Sequence, residues 1–94
     1  MGKNEKVLTV ARRLTRFLNV ALDQWELDEF EEDARRHGLS MTEANARDLR
    51  KRPADIIEYL DNLRDYLSGR ELDEAERLIA DVRVLMLEEA RAEQ

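Results

Sequence analysis

Apolar residues recur at intervals of three and four along almost the whole chain. Val7, Val10, Ala11, Leu14, Phe17, Leu18, Ala21 and Trp25 fall on one such stripe. That is the pattern of a helix with one buried face, and it predicts an all-α fold. Lys6, Arg12, Arg13 and Arg16 lie off the stripe, on or beside the wet face.

The ends of further helices are marked by their capping chemistry. Asp23-Gln-Trp-Glu26 has the form of a capping box, in which the Asp23 carboxylate accepts from the third helical amide and Glu26 reaches back. A second helix starting there competes with one long bent helix. Leu27, Phe30, Ala34 and His37 would face inward, and Gly38 followed by Leu39 suits a left-handed stop with an apolar closing contact. Ser40 and Glu43 form a second capping box, opening a helix whose main apolar residues are Met41, Ala44 and Leu49. Arg52-Pro53 ends it, because the residue before proline is pushed out of the helical region.

Pro53 then starts a fourth helix with Ile56, Leu60, Leu63 and Leu67 inward and Ile57, Tyr59 and Tyr66 flanking, closed by Ser68-Gly69. A fifth runs from about Glu71 to near Ala92. Leu72, Ala75, Ile79, Val82 and Met86 occupy one face of it, with Leu78 and Leu85 beside them. The expected architecture is a compact bundle of four or five helices with short loops, the first, fourth and fifth supplying most of the core. At 94 residues the chain, 1–94, reads as one helical domain.

Charge is distributed in blocks. Residues 1–22, 23–33, 34–53 and 54–94 carry +4, −7, +4 and −7, for a net charge of −6. Segments of opposite sign that neighbour one another in the fold would account for this, with helical pairs such as Glu31 to Arg35 and Asp73 to Arg77. The alternative is functional. Asp23, Glu26, Asp28, Glu29, Glu31, Glu32 and Asp33 would form an acidic face that attracts a larger protein with a basic surface, as an adaptor, a regulator or an inhibitor imitating the charge of nucleic acid would need.

Two apolar features add to that surface. Tyr59 and Tyr66, seven residues apart, would share one side of the fourth helix and present an aromatic pair. Ala80, Val84 and Leu87 form a strip separate from the inward stripe of the fifth helix, so that either this helix is central and enclosed by the others or the strip is available to a partner or to a second copy in a homodimer.

Ala34, Gly38, Leu39 and Ser40 resemble the first helix and turn of a helix-turn-helix, with alanine four residues before the turn glycine. The resemblance covers about twenty residues and implies a DNA-binding regulator touching phosphate through Arg47, Arg50, Lys51 and Arg52. Asp33 and Arg47 depart from it, standing where that motif places apolar residues, and a net charge of −6 opposes nonspecific attraction to DNA.

Catalysis is not expected. With no cysteine there is no disulfide, thiolate site or cysteine nucleophile, which fits a reducing cytoplasm. The single histidine, His37, has Asp33 one turn before it, but two ligands do not hold a metal. The Glu-x-x-His spacing of di-iron bundles is absent, and Gly2, Gly38 and Gly69 are isolated, so no phosphate loop exists. No cofactor is expected. The polar N-terminus lacks a secretory apolar region, Lys6 stands where a myristoylation signal has serine or threonine, and the longest apolar run is Val84 to Leu87. Neither membrane insertion nor lipid anchoring is expected.

Overall fold

The structure is a computed structural model that describes residues 2–92. It is all-α, as the periodicity predicts. The helices are α1 (Lys3–Ala21), α2 (Gln24–Arg36), α3 (Met41–Lys51), α4 (Pro53–Leu63) and α5 (Gly69–Ala92), with a short 3-10 turn, Arg64–Tyr66, between the last two.

The break between α1 and α2 is real. Leu22 and Asp23 have extended backbones, and the Asp23 carboxylate accepts from the Glu26 amide at 2.9 Å. These two non-helical residues put α2 out of phase with α1. Leu22 therefore turns into the core, and Trp25, expected on the α1 stripe, is 70% exposed. α2 ends as a Schellman turn: Gly38 adopts φ +72°, Leu39 N–H donates to the Ala34 carbonyl, and Gly38 N–H donates to that of Arg35, each at 2.9 Å. The Ser40–Glu43 capping box forms in both directions, and Pro53 occupies the first turn of α4.

α1 is the central element, packed between α3 and α5, while α4 packs against α5. The core joins Val7, Ala11, Leu14 and Leu18 of α1 to Leu49 of α3, Leu60 of α4 and Leu78, Ile79 and Val82 of α5. α4 contributes less than expected: only Leu60 is fully enclosed, with Ile56, Ile57, Leu63 and Leu67 half-buried around it. α3 contributes more than expected. Its buried residues are Ala46 and Leu49, and a methyl at position 46 lets its backbone lie close to α1.

Polar side chains fix both sides of α1. Toward α3, the Thr15 hydroxyl donates to the Ala11 carbonyl at 2.8 Å and accepts from Asn45 at 2.9 Å and Thr42 at 3.1 Å. Toward α5, Arg13 bridges Glu74 and Asp81, and Lys6 pairs with Glu88 at 2.9 Å. The first basic block thus meets the last acidic one, as neighbouring segments of opposite sign should. The hydrogen bonds to Asp81 and then to Glu74 raise the affinity of the Arg13 guanidinium for its proton.

α2 stands apart from this arrangement. Leu27 is its one contribution to the common core, and Ala34, although buried, is not joined to it. His37 is exposed, so it does not take the inward place the stripe implied, and Phe30 faces the bundle without being enclosed by it. The core does not extend under the far half of the helix.

Candidate protein-binding faces

The outward face of α2 opposes Leu27 and Ala34 on the helix circumference. Trp25 lies there with Asp28, Glu29 and Glu32 at intervals of three, four and seven residues, so an exposed indole is followed along one surface by three carboxylates. Among the described residues, the ion pair made by the acids of α2 is Glu32 with Arg36, at 3.0 Å and within the helix itself. Gln24 donates to Asp28 at 2.8 Å. Among the described residues no cation from another element reaches this face, in contrast to α5, and the Glu31–Arg35 pair does not form.

Glu31 is placed differently from the other acids. It is half-buried and lines a crease with Thr15, Asn19, Arg35 and Leu39, turned from the outward face. Trp25 was the opposite omission, assigned to the core by periodicity alone. The signal that could have found it is the Asp23 cap, since a helix that restarts there no longer shares the phase of α1.

Tyr59 and Tyr66 do not form a pair along one helix. α4 ends at Leu63, and the 3-10 turn after it breaks the register that a spacing of seven assumes. Tyr66 is 86% exposed on that turn. Tyr59 is half-buried and meets Phe30 of α2 edge to face, with ring centroids 5.9 Å apart and planes at 80°. Burial pushes the Tyr59 phenol up from its ordinary pKa, and the charge of Glu26 adds to the effect. This aromatic contact borders a cleft of about 240 Å³ between α2 and the rest of the bundle, floored by Leu14 and Leu18 and flanked by Ile56 and Arg52.

The basic residues of α3 are divided by Asp48. Its carboxylate lies 3.6 Å from Arg47 and 3.2 Å from Arg52, leaving Arg50 and Lys51 as the cations of the group without an ion pair among the described residues. The His37 ring lies against the Asp33 carbonyl oxygen, 2.9 Å from Nδ1. Among the described residues there is no cluster of three metal-ligating side chains, and no helix is long and apolar enough to cross a membrane.

On α5, Ala75, Leu78, Ile79, Val82 and Leu85 face inward. Ala80, Val84 and Leu87 face outward, Val84 49% and Leu87 60% exposed. Met86, expected inward, is exposed. It comes late in α5, at the end of the helix away from the turn that joins it to α4.

No protein-family model, curated protein or solved structure matches the chain.

Proposed function

We propose that this protein acts by binding and not by catalysis, as a small acidic interaction module that recognises a basic surface on a larger protein through the outward face of α2. The observation that carries this reading is an exposed tryptophan on the same face as carboxylates that, among the described residues, draw no cation from another element. Intramolecular ion pairing, the structural reason for an acidic block, operates at Glu74, Asp81 and Glu88 of α5. It does not extend to Asp28 and Glu29.

A large amphipathic ring surrounded by charge is the composition of an interface anchor. The indole supplies contact area at small cost in side-chain entropy, while the carboxylates steer the approach of a cationic partner. Like charges crowded along α2 repel one another, and a basic partner relieves that repulsion on binding. An adaptor, a regulator and an inhibitor that imitates nucleic-acid charge all use such a face.

The test is affinity capture from a native lysate treated with nuclease, eluted with salt, comparing the wild type with Trp25→Ala and with Glu29→Gln/Glu32→Gln. A defined basic protein should be retained by the wild type and lost from both variants. Once it is purified, its addition should shift the emission of Trp25, the only tryptophan, to shorter wavelength. Equal retention by all three forms, or capture that requires nucleic acid, overturns the reading.

A further inference from the structure

The outward face of α5 carries a second, complete repeat. Asp73, Arg77, Ala80, Val84, Leu87 and Arg91 follow one another at intervals of four, three, four, three and four, and all six are exposed. The alternation of four and three is that of the seam along which two helices pack knobs into holes, repeating about every 3.5 residues. α5 therefore has two faces: one closes the core, and the other runs along solvent for most of its length.

The carboxylates beside this seam are settled within the chain, while Arg83 beside it has no ion pair among the described residues. Glu74 and Asp81 are taken by Arg13, Glu88 by Lys6, and Glu76 lies 3.8 Å from Arg64. On the seam itself, Asp73 at one end, Arg91 at the other and Arg77 between them have no ion-pair partner among the described residues.

We propose that this face is a homodimer interface in which α5 of one copy packs antiparallel against α5 of a second. Centred near Val82, the pairing sets Ala80 against Val84 of the second copy and lays the stem of Arg77 over Leu87. Asp73 then meets Arg91. The symmetry repeats each contact, so an Asp–Arg pair closes both ends.

The charge pattern selects both the partner and the direction. A parallel pair would oppose Asp73 to Asp73, Arg77 to Arg77 and Arg91 to Arg91, so that half of its layers set like charges in contact. The antiparallel pair converts the layers at its two ends into attractions. A seam complementary to its own reverse fits a second copy of this chain, and a twofold contact of this kind closes without growing into a filament. Ala80 near the centre lets the two backbones approach closely.

Sedimentation equilibrium over about a hundredfold range of concentration reads the association directly. The wild type should pass from monomer to dimer, and Val84→Glu/Leu87→Glu should stay monomeric with unchanged circular dichroism, because neither side chain belongs to the core. Asp73→Arg and Arg91→Asp should each weaken the dimer by about tenfold or more, and the double exchange should recover most of that loss. Trp25→Ala should leave dimerisation unchanged, which separates this interface from the α2 face.

A wild type that is monomeric throughout, growth beyond the dimer, or unfolding of Val84→Glu/Leu87→Glu overturns the proposal. Failure of the double charge exchange to recover association overturns the register.

Discussion

Arg13 on α1 and Asp81 on α5, 68 positions apart in the chain, are joined by a hydrogen bond from guanidinium Nη1 to carboxylate Oδ2. The second arm of the same guanidinium reaches Glu74 at 2.9 Å. One planar fork thus spans two carboxylates nearly two turns apart on α5, a geometry lysine cannot reproduce. All three side chains are partly solvated, which limits their contribution. Arg13→Ala should lower unfolding free energy by about 1 kcal/mol, and Arg13→Lys should recover only part of it, measured by urea denaturation at low salt.

Thr15 should matter out of proportion to its size. Its hydroxyl accepts from both Thr42 and Asn45, so Thr15→Val strands two donors between α1 and α3. A loss of about 1–2 kcal/mol is expected. Asn45→Ala, which removes a donor together with its need for a partner, should cost less.

Glu29 is flanked on α2 by Glu26, Glu32 and Asp33 at helical spacings, all of the same sign. Glu29→Gln should therefore stabilise the protein, by about 0.5 kcal/mol at low ionic strength. In about 1 M salt the difference from wild type should vanish. A variant that is more stable and binds its partner less well would mark the acidic face as kept for function.

Gly38 holds φ +72°, in the left-handed region, and its amide closes the end of α2 on Arg35. A Cβ at this position has open space around it, so the cost of Gly38→Ala is conformational and not steric. It should be about 1 kcal/mol, with Gly38→Asn costing less because asparagine tolerates this conformation. Thermal denaturation distinguishes the two.

The Glu43 carboxylate accepts from the Ser40 backbone amide at 2.9 Å, which holds its pKa below the ordinary value of 4.5. Its folded pKa lies below its unfolded one. The stabilisation is therefore present above about pH 4.5 and is lost as pH falls through the folded value. Glu43→Gln should show a smaller decline in stability than wild type on acidification below about pH 4.5, and carboxyl NMR should find Glu43 titrating low.

The capping signals at the ends of α2 and α3 were legible because they are local. The Asp23 carboxylate reaches an amide three residues on, the Ser40–Glu43 box spans the same distance, and the Gly38 amide closes on a carbonyl three residues back. None of these depends on what packs against the helix. The inward stripe of α1 was equally readable, since a helix flanked on two sides by others buries whatever apolar face it has.

Of the surface, the acids at 28, 29 and 32 lie exposed as the sequence implies and the strip at 80, 84 and 87, which the sequence left open between core and interface, faces solvent, whereas Trp25, Glu31, Tyr66 and Met86 are displaced from their expected roles. Two of these displacements, and the burial of Ala46 that periodicity missed, have causes in the backbone or the packing. Trp25 rotated out because two residues left the helix before it, Tyr66 parted from Tyr59 because α4 stopped one turn early, and Ala46 was hidden because α1 came close to it.

The sequence by itself determined the end of α2, both ends of α3, the start of α4 and that α5 has two apolar strips, because capping and periodicity involve residues a turn or two apart. Only the tertiary structure decided that Ile79 and Val82 face the core while Val84 and Leu87 face solvent. That choice depends on α1 and α4 packing against one side of α5 and on Arg13 and Lys6 holding α1 there, the latter through ion pairs between residues more than sixty positions apart.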